Sequence, residues 1–578
     1  MWVLYSPLHP IRVTVALRSH VCRVAAGETL NMPCPVGVEK NLGMPRGEAA
    51  DRKATSVVLN LRPSDIGRRR HRGMATTVPS PPLLVPYRAV GLVSDGVPFS
   101  IEQLGTETFV TTAIGRTFQV FSLAKLRLAF IGAQLPRAVT ALCATGERTI
   151  VACGTDVHVY RRAERELLLD GEHTARVRHL LVLGETLLTV CESGVVIVWA
   201  LANGEVLRRL HAGFVPSALS HPATYLNKVL LGAPDGRLQL LNVRSGQRIY
   251  EFKGWGAPVR CLEQSPALDV VGIGHADGRI VLHNLRADAS VLTLAHESGD
   301  ACNALAFRTD GRAHLVSASS LGSLHVWDLE KRVRLTSIPL AHAGGVLCAH
   351  FVRGTAELLT LGEAENALKV WLFDQPTGGA RLLRSRSGHS APPSLVRFHR
   401  DAILAGGAPA GQAYLLSGGA DRTLRQAAIW TTQQDAEFSQ KRETSKASMH
   451  VTDMEARRLP PLTGLASSQV REKEWANVLT CHQGSAVAYT WQTTRRALAP
   501  HTLHLGTGRP VTSVAISPCG NYGYLGGEDG ALEKFNLQSG QRRAAVKSVW
   551  RHRGAVRGLA TEALSKCVIS RSASLIAC

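Results

Sequence analysis

A short strand ending in an aromatic residue recurs along this chain, and its spacing constrains the fold more than any other feature. In the segment SSLGSLHVWDLEKRVRL (residues 319–335) a small turn precedes a short apolar strand, which ends at Trp327 and Asp328 before a charged tail. Equivalent anchors occur at Phe121, Tyr160, Trp199, Leu241, His283, Trp327 and Trp371. The first two anchors are 39 residues apart and the last two 44. A period of about 40–45 residues with this ending is typical of a four-stranded propeller blade. We therefore predict an all-β propeller, with residues 319–335 holding the third strand of one blade.

Glycine occurs five residues before many of these anchors. The glycines are Gly194, Gly236, Gly278, Gly322 and Gly530. Three of them follow an aspartate, which gives the blade-turn pairs Asp235-Gly236, Asp277-Gly278 and Asp529-Gly530. Glycine adopts positive φ without steric cost, and Asp-Gly is a strong signal for a tight hairpin. The spacing predicts a hairpin turn directly before each third strand.

Runs such as VVIVW (residues 195–199) are apolar at consecutive positions rather than at alternate ones. This pattern indicates a strand that is covered on both faces, as a strand between two neighbouring blades would be. We expect each anchor side chain to bury its large area against the next blade.

The anchors also suggest how the chain is divided. Residues 1–84 lack the repeat, and the basic run GRRRHRG (Arg68, Arg69, Arg70, Arg72) is either a nucleic-acid or nuclear-import tail or a solvated extension, with Met74 as an alternative start. Residues 85–430 hold the seven regular anchors and a weak one at Ala427, enough for a closed seven-bladed propeller. We expect residues 431–475 to be a polar linker. Residues 476–578, with Trp491 and Phe535, are expected to be the first blades of a second, truncated propeller.

The net charge of +21 narrows the possible partners of the chain. Such a balance suits a polyanion, most often nucleic acid, although a basic surface kept for solubility explains it equally well. The 12 cysteines are scattered without a Cys-x-x-Cys pair, which argues against zinc ribbons and disulfide scaffolds. No apolar run has the length of a membrane helix, and no P-loop, H-E-x-x-H or nucleophile-elbow motif is present. The sequence thus predicts no catalytic, cofactor or metal site, no small-molecule substrate and no membrane partner.

Two features could be mistaken for chemistry. His389 belongs to the Gly-His dipeptide of a blade, so a structural hydrogen bond is expected there rather than metal binding. Glu363 and Glu365 lie in a predicted turn and are expected to be solvated.

Several stretches are not explained by blade geometry, among them TYLNK (residues 224–228), FDQPTG (373–378) with RLLR (381–384), and CHQG (481–484). With them, the chain from about residue 87 to residue 559 resembles the tandem-propeller WD-repeat proteins of the small-subunit processome, components of the UTP-B subcomplex associated with the U-three small nucleolar RNA.

This resemblance implies a non-catalytic scaffold in the nucleolus that supports processing of small-subunit rRNA. It implies other WD-repeat processome subunits, the U-three snoRNP and pre-rRNA as partners. In that family a complete second propeller and a helical domain follow, whereas this sequence ends earlier. Two alternatives remain: a WD-repeat adaptor of another nuclear or cytoplasmic complex, and a propeller enzyme, which the missing motifs disfavour.

Overall fold

The computed structural model describes residues 2–5, 13–16, 85–375, 377–399, 414–429, 435–440, 458–545, 551–563 and 567–572. Every regular element in these ranges is a β-strand, as the prediction of an all-β fold required. None of these residues belongs to a helix long and apolar enough to cross a membrane. The first three strands form one small antiparallel sheet in the order β2-β1-β3: β1 (Trp2–Tyr5), β2 (Val13–Ala16) and β3 (Val85–Ala89).

The predicted irregular segment 1–84 therefore contributes two short strands. Its basic run and Met74 lie outside the described residues.

Seven four-stranded antiparallel sheets follow, each built from four consecutive strands in meander order. Sheet 1 is β4 (Ser100–Leu104), β5 (Glu107–Ile114), β6 (Thr117–Ser122) and β7 (Arg127–Ile131). Sheet 2 is β8 (Ala141–Thr145), β9 (Arg148–Cys153), β10 (Asp156–Arg161) and β11 (Glu164–Leu169). Sheet 3 is β12 (Val177–Leu183), β13 (Thr186–Cys191), β14 (Val195–Ala200) and β15 (Val206–His211). Sheet 4 is β16 (Ala218–Ser220), β17 (Lys228–Gly232), β18 (Leu238–Asn242) and β19 (Arg248–Phe252). Sheet 5 is β20 (Val259–Gln264), β21 (Val270–His275), β22 (Arg279–Asn284) and β23 (Ala289–Ala295). Sheet 6 is β24 (Cys302–Phe307), β25 (His314–Ser319), β26 (Leu324–Asp328) and β27 (Val333–Ile338). Sheet 7 is β28 (Val346–Phe351), β29 (Glu357–Gly362), β30 (Ala367–Leu372) and β31 (Arg381–Ser387).

Four more sheets complete the described chain. Sheet 8 is β32 (Pro393–His399), β33 (Tyr414–Gly419), β34 (Leu424–Ala428) and β35 (Ala436–Glu437). Sheet 9 is β36 (Leu462–Ser467), β37 (Val478–His482), β38 (Val487–Gln492) and β39 (Ala497–His504). Sheet 10 is β40 (Val511–Ile516), β41 (Tyr522–Gly527), β42 (Leu532–Asn536) and β43 (Arg542–Ala545). Sheet 11 is the pair β44 (Val556–Thr561) and β45 (Val568–Ser572).

The first seven sheets close on themselves, which is the predicted seven-bladed propeller. Sheet 1 and sheet 7 share one apolar cluster that includes Val110 of β5 with Leu359 and Leu368 of sheet 7. Hydrogen bonds cross the same seam, because Arg386 Nη1 on β31 donates to the carbonyl of Leu126 at 3.0 Å. In a closed ring of this kind, the first and last blades cover each other, so neither has an exposed sheet face.

Apolar side chains of the third strands alternate between the two neighbouring sheets. Ile197 of β14 packs in a cluster with residues of sheet 2, whereas Val196 and Val198 pack with residues of sheet 4. All of these side chains are buried. Coverage on both faces explains why the sequence is apolar at successive positions here.

Sheet 8 changes the predicted division of the chain. The boundary expected at residue 430 falls inside this sheet, because β34 and β35 lie on either side of it and pair through Arg425–Glu437 and Gln426–Ala436. The expected linker 431–475 contains β35 and also β36, the first strand of sheet 9. Both strands are short or flanked by polar residues, so neither shows a clear apolar period in the sequence.

Sheet 8 packs onto sheet 9, which follows it. Leu416 and Leu424 share a cluster with Leu462, Val478 and Trp491 of sheet 9. Sheet 8 also contacts the segment before sheet 1, because Val90 packs against Leu415 and Ala427. The weak anchor at Ala427 therefore belongs to a sheet outside the closed ring of seven.

Candidate functional site

A hydroxyl group on the second strand of several blades joins the anchor tryptophan to a histidine. In sheet 7 the Trp371 indole N–H donates to Thr360 Oγ1 at 2.9 Å, and His342 Nε2 lies 2.7 Å from the same oxygen. The same three-residue link forms in sheet 3 (Trp199, Thr189, His173), sheet 6 (Trp327, Ser317, His296) and sheet 9 (Trp491, Thr480, His482). Since buried polar groups need partners, this hydroxyl satisfies the tryptophan and the histidine together.

A carboxylate also contacts the blade histidine in sheets 7 and 8. His342 Nδ1 lies 3.0 Å from Glu365 Oε2, and His389 Nδ1 lies 2.6 Å from Asp421 Oδ2. His389 thus makes the structural hydrogen bonds that its Gly-His context predicts, with Ser417 Oγ as its second partner at 2.7 Å. Burial by itself would raise the pKa of Glu365, but hydrogen bonds from His342 and Lys369 outweigh it and lower the pKa to about 2. The expectation that Glu365 is solvated was wrong, because the turn folds this carboxylate back onto the histidine.

The predicted anchors are buried, but they pack against the preceding sheet instead of the next one. Trp327 shares its cluster with Ile280 and Leu282 of sheet 5, and Trp371 shares its cluster with Val316 and Val326 of sheet 6. Each anchor therefore packs against the preceding sheet, not the next one as the sequence led us to expect. Phe121, Tyr160, Trp199, Trp327, Trp371, Trp491 and Phe535 are all at most 7% exposed.

Asp328 follows its anchor and stabilises the turn after β26. Its Oδ1 accepts hydrogen bonds from the backbone N–H groups of Glu330 and Lys331, each at 3.0 Å, and these bonds lower the pKa of the carboxyl. Asn242, Asn284 and Asn536 make the same two bonds after their own anchors. The aspartate of Trp-Asp is thus a turn residue, and its role is structural.

The turn glycines meet a second requirement that has no signal in the sequence. The φ angles of Gly236, Gly278 and Gly530 are +91°, +81° and +80°. A Cβ on these residues would also lie 2.6, 2.7 and 1.9 Å from the carbonyl oxygens of Ala257, Asp300 and His552. Asp235, Asp277 and Asp529 each accept a hydrogen bond from the backbone N–H two residues on. Each Asp-Gly turn therefore packs tightly on the segment that enters the following sheet.

A polar cleft of about 440 Å³ lies where sheets 1, 7 and 8 meet. Four cations and two carboxylates line it: Lys125, Arg127, Arg386, Arg425, Asp435 and Glu437. The two arginines of sheets 7 and 8 are paired, Arg386 with Asp435 at 3.2 Å and Arg425 with Glu437 at 2.7 Å.

The remaining two cations of the cleft, Lys125 and Arg127, are exposed. No ion pair between described residues includes either of them. The cleft therefore carries excess positive charge at a concave surface, an arrangement that favours an anionic ligand.

The TYLNK stretch (residues 224–228) ends the loop between β16 and β17 and includes Lys228, the first residue of β17. Thr224 Oγ1 donates to Asp269 Oδ1 at 2.7 Å in the corresponding loop of sheet 5, and the ammonium of Lys228 lies 4.5 Å from the centre of the Tyr225 ring. These contacts fix the two loops beside each other. They leave Leu226 and Leu268 83% and 76% exposed.

Comparison with known families agrees with the two arrays of sheets. The family model described as the WDR36/Utp21 first beta-propeller matches residues 110–374, and the model of the second beta-propeller domain of the same family matches residues 409–576. The chain belongs to the WDR36/Utp21 family. This confirms the resemblance drawn from TYLNK and the other non-blade stretches. The second model begins within the range that the sequence assigned to the first propeller, so we infer that the first propeller ends with sheet 7 and that sheet 8 begins the second.

Three curated relatives of the WDR36/Utp21 family match most of the chain. The U3 small nucleolar RNA-associated protein 21 homolog of Schizosaccharomyces pombe is 38% identical over 80% of this chain. WD repeat-containing protein 36 of Homo sapiens is 31% identical over 84%, and U3 small nucleolar RNA-associated protein 21 of Saccharomyces cerevisiae is 30% identical over 84%. The matches cover 51%, 54% and 53% of these relatives, so the chain spans about half their length.

Proposed function

We propose that this protein is a non-catalytic scaffold of the small-subunit processome that supports rRNA processing and ribosome biogenesis. The observation that carries the proposal is membership of the WDR36/Utp21 family in both propellers, together with relatives named for association with the U3 small nucleolar RNA. Its site of action is the nucleolus. Its partners are other WD-repeat processome subunits of the UTP-B group and, directly or through them, the U3 snoRNP and pre-rRNA.

The buried histidines of the blades are the residues most easily mistaken for catalytic ones, and their contacts support a scaffold function instead. His342 and His389 are bonded on both ring nitrogens to groups of their own blades, and both are buried. Buried imidazoles with satisfied nitrogens rigidify a blade rather than act on a substrate. The exposed leucines Leu226 and Leu268 give the propeller a surface on which protein partners can dock.

The basic cleft is the surface we propose for RNA. Its exposed cations Lys125 and Arg127 lie on the outer edge of sheet 1, beside paired arginines from sheets 7 and 8. Phosphate contacts release counterions, so binding through them weakens steeply as salt rises.

The test of the cleft compares two double variants with the same charge change. Replacing Lys125 and Arg127 by alanine is expected to weaken binding of a single-stranded pre-rRNA fragment and to flatten the logarithmic salt dependence by about 0.7 for each phosphate that the variant no longer binds. The control replaces Lys253 and Arg260, exposed cations at sheets 4 and 5 that do not line the cleft, and is expected to leave the slope unchanged. Equal slopes for the two double variants would contradict RNA binding in the cleft.

The function itself is tested by tagged purification of this chain from cells, with the co-purifying RNA and proteins identified. Enrichment of U3 small nucleolar RNA, small-subunit pre-rRNA and WD-repeat processome subunits is the expected result. A folded chain that instead brings down another complex would favour the alternative, a WD-repeat adaptor of a different nuclear or cytoplasmic assembly.

A further inference from the structure

Sheet 6 contains a polar cluster that the blade network does not use fully. His296 and Asp300 lie in the segment that enters the sheet, and His325 lies on its third strand, β26. The donor atoms of the three side chains all lie within 4.8 Å of one another. The two imidazole rings are 4.6 Å apart between centroids, and Asp300 Oδ1 is 3.8 Å from His296 Nδ1.

Asp300 is the unusual member of this cluster. Its side chain is only 4% exposed, and its Oδ2 is buried with no hydrogen-bond partner among the described residues. Its Oδ1 accepts a hydrogen bond from Ser298 Oγ. A buried carboxylate oxygen without a donor or cation is costly, and in native proteins it commonly marks a place where a water or an ion binds.

The cation near this cluster, Arg334, forms an ion pair with another residue. Arg334 of β27 lies close enough to affect both histidines, but its guanidinium pairs with Glu297 at 2.6 Å. Burial lowers the pKa of both histidines, and for His325 the neighbouring His296 lowers it further, to about 4. Both imidazoles are therefore neutral at neutral pH, which is the form in which histidine binds metal ions.

We propose that His296, Asp300 and His325 form a binding site for a transition-metal dication of the zinc class. Two imidazole nitrogens and one carboxylate oxygen match the donor set of zinc sites with three protein ligands, which keep a fourth position for water. Donors that all lie within 4.8 Å of one another need only small side-chain rotations to reach one ion at about 2.0–2.2 Å.

The outer contacts of the cluster suit this role. His296 Nδ1 faces the backbone carbonyl oxygen of Asp300 at 3.0 Å, and a metal ion bound to Nδ1 replaces that contact. The Nε2–H of His296 then donates to Ser317 Oγ, 2.9 Å away. The ring nitrogens of His325 face the hydroxyls of Ser337 and Ser323 at 3.1 and 3.3 Å. The nitrogen that binds the metal gives up its hydroxyl contact, and the N–H of the other nitrogen donates to its serine. Hydrogen bonds of this kind orient metal-ligating histidines.

Equilibrium dialysis of the full chain against micromolar Zn²⁺ tests the site. Wild type is expected to retain one more equivalent of zinc than Asp300→Asn, and His325→Gln is a second variant that removes a different ligand. Asp421→Asn is the matched control, because it removes the buried carboxylate beside His389 in sheet 8, where no second imidazole of the described residues takes part. It is expected to bind as much zinc as wild type.

Thermal melting of the same four proteins gives an independent readout. Zinc that binds only the folded chain raises Tm, so Tm should rise for wild type and Asp421→Asn but not for Asp300→Asn or His325→Gln. Equal zinc content and equal Tm shifts in all four proteins would overturn the proposal, because the histidines and cysteines elsewhere would then account for all binding.

Discussion

Sheets 6 and 7 are neighbours with the same fold and different polar interiors. In both, the anchor indole donates at 2.9 Å to a hydroxyl on the second strand, and a histidine from the entry segment bonds to that hydroxyl. In sheet 7 the carboxylate next to the histidine is Glu365, which comes from the hairpin turn. In sheet 6 that turn carries the exposed Leu321, and the carboxylate is Asp300 of the entry segment.

The turns of the two sheets differ as well. Gly322 occupies the positive-φ position in sheet 6, whereas Asn366 occupies it in sheet 7 with φ +51°. Asn366 also joins the ends of the ring, because its Oδ1 accepts hydrogen bonds from the N–H groups of Val93 and Ser94. The tryptophan–hydroxyl–histidine link is therefore the constant part of these blades, and the turn and carboxylate can be reassigned to closure or, as we propose, to metal binding.

The largest expected loss of stability comes from removing the anchor tryptophan, which each of the two sheets has. Trp327→Ala and Trp371→Ala should each lower the free energy of unfolding by about 3–5 kcal/mol, as truncation of a buried tryptophan does. Urea and thermal melts of both variants measure it. A cost below about 1 kcal/mol in either sheet, the low end for truncation of any buried side chain, would mean that the indole does not hold its blade against the preceding one.

The turn comparison predicts a smaller effect with its own control. Gly322→Ala combines a φ of +90° with a Cβ 2.2 Å from the carbonyl oxygen of Gly344. We expect about 1–2 kcal/mol from the backbone conformation and about 1–3 kcal/mol more from the overlap. Gly354→Ala in sheet 7 has a φ of +71° and open space around its Cβ, so it should show only the first cost. Equal melting temperatures for the two variants would remove the packing argument for the turn glycine.

The sequence predicted the features that recur in most blades. Strand, turn and aromatic anchor follow from local patterning, so the third strand ending at Trp327 and the glycine of its turn could be predicted from the amino-acid sequence alone. Features that depend on one blade meeting another could not. The direction in which the anchors pack and the shared cluster of sheets 1 and 7 have no local signal, because the partners lie far apart in the chain.

Features that occur in a single blade could not be predicted from the sequence either. Asn366 stands at the position that Gly322 holds in sheet 6, and asparagine tolerates positive φ better than most residues. Asp300 and His325 occupy ordinary-looking positions 25 residues apart in the sequence, and only the fold brings them together. Sheet 8 extends across the boundary expected at residue 430, and its third strand ends at Ala427, without an aromatic side chain to mark its packing.

The smallest expected effects concern the pH dependence of stability, which should differ between sheets 6 and 7. His325 in sheet 6 has a pKa of about 4, below its ordinary value of 6.5, because burial and then His296 disfavour its charged form. Between about pH 6.5 and about pH 4, His325 is therefore protonated in the unfolded chain but not in the folded chain, so stability falls as pH drops through this range. Glu365 in sheet 7 has a pKa of about 2 instead of 4.5, so its contribution is present above pH 4.5 and is lost as pH falls toward 2.

Urea midpoints of wild type, His325→Gln and Glu365→Gln, measured in steps from about pH 7 to about pH 3, test this separation. The difference between wild type and His325→Gln should change mainly above pH 4, because in that window only the wild-type histidine is protonated on unfolding. The difference between wild type and Glu365→Gln should stay constant above pH 4.5 and shrink below it, as the wild-type carboxylate loses its ionised, hydrogen-bonded state. Parallel pH profiles for the two variants would mean that the sheets share one titrating network. The different carboxylate sources in sheets 6 and 7 would then have no energetic consequence.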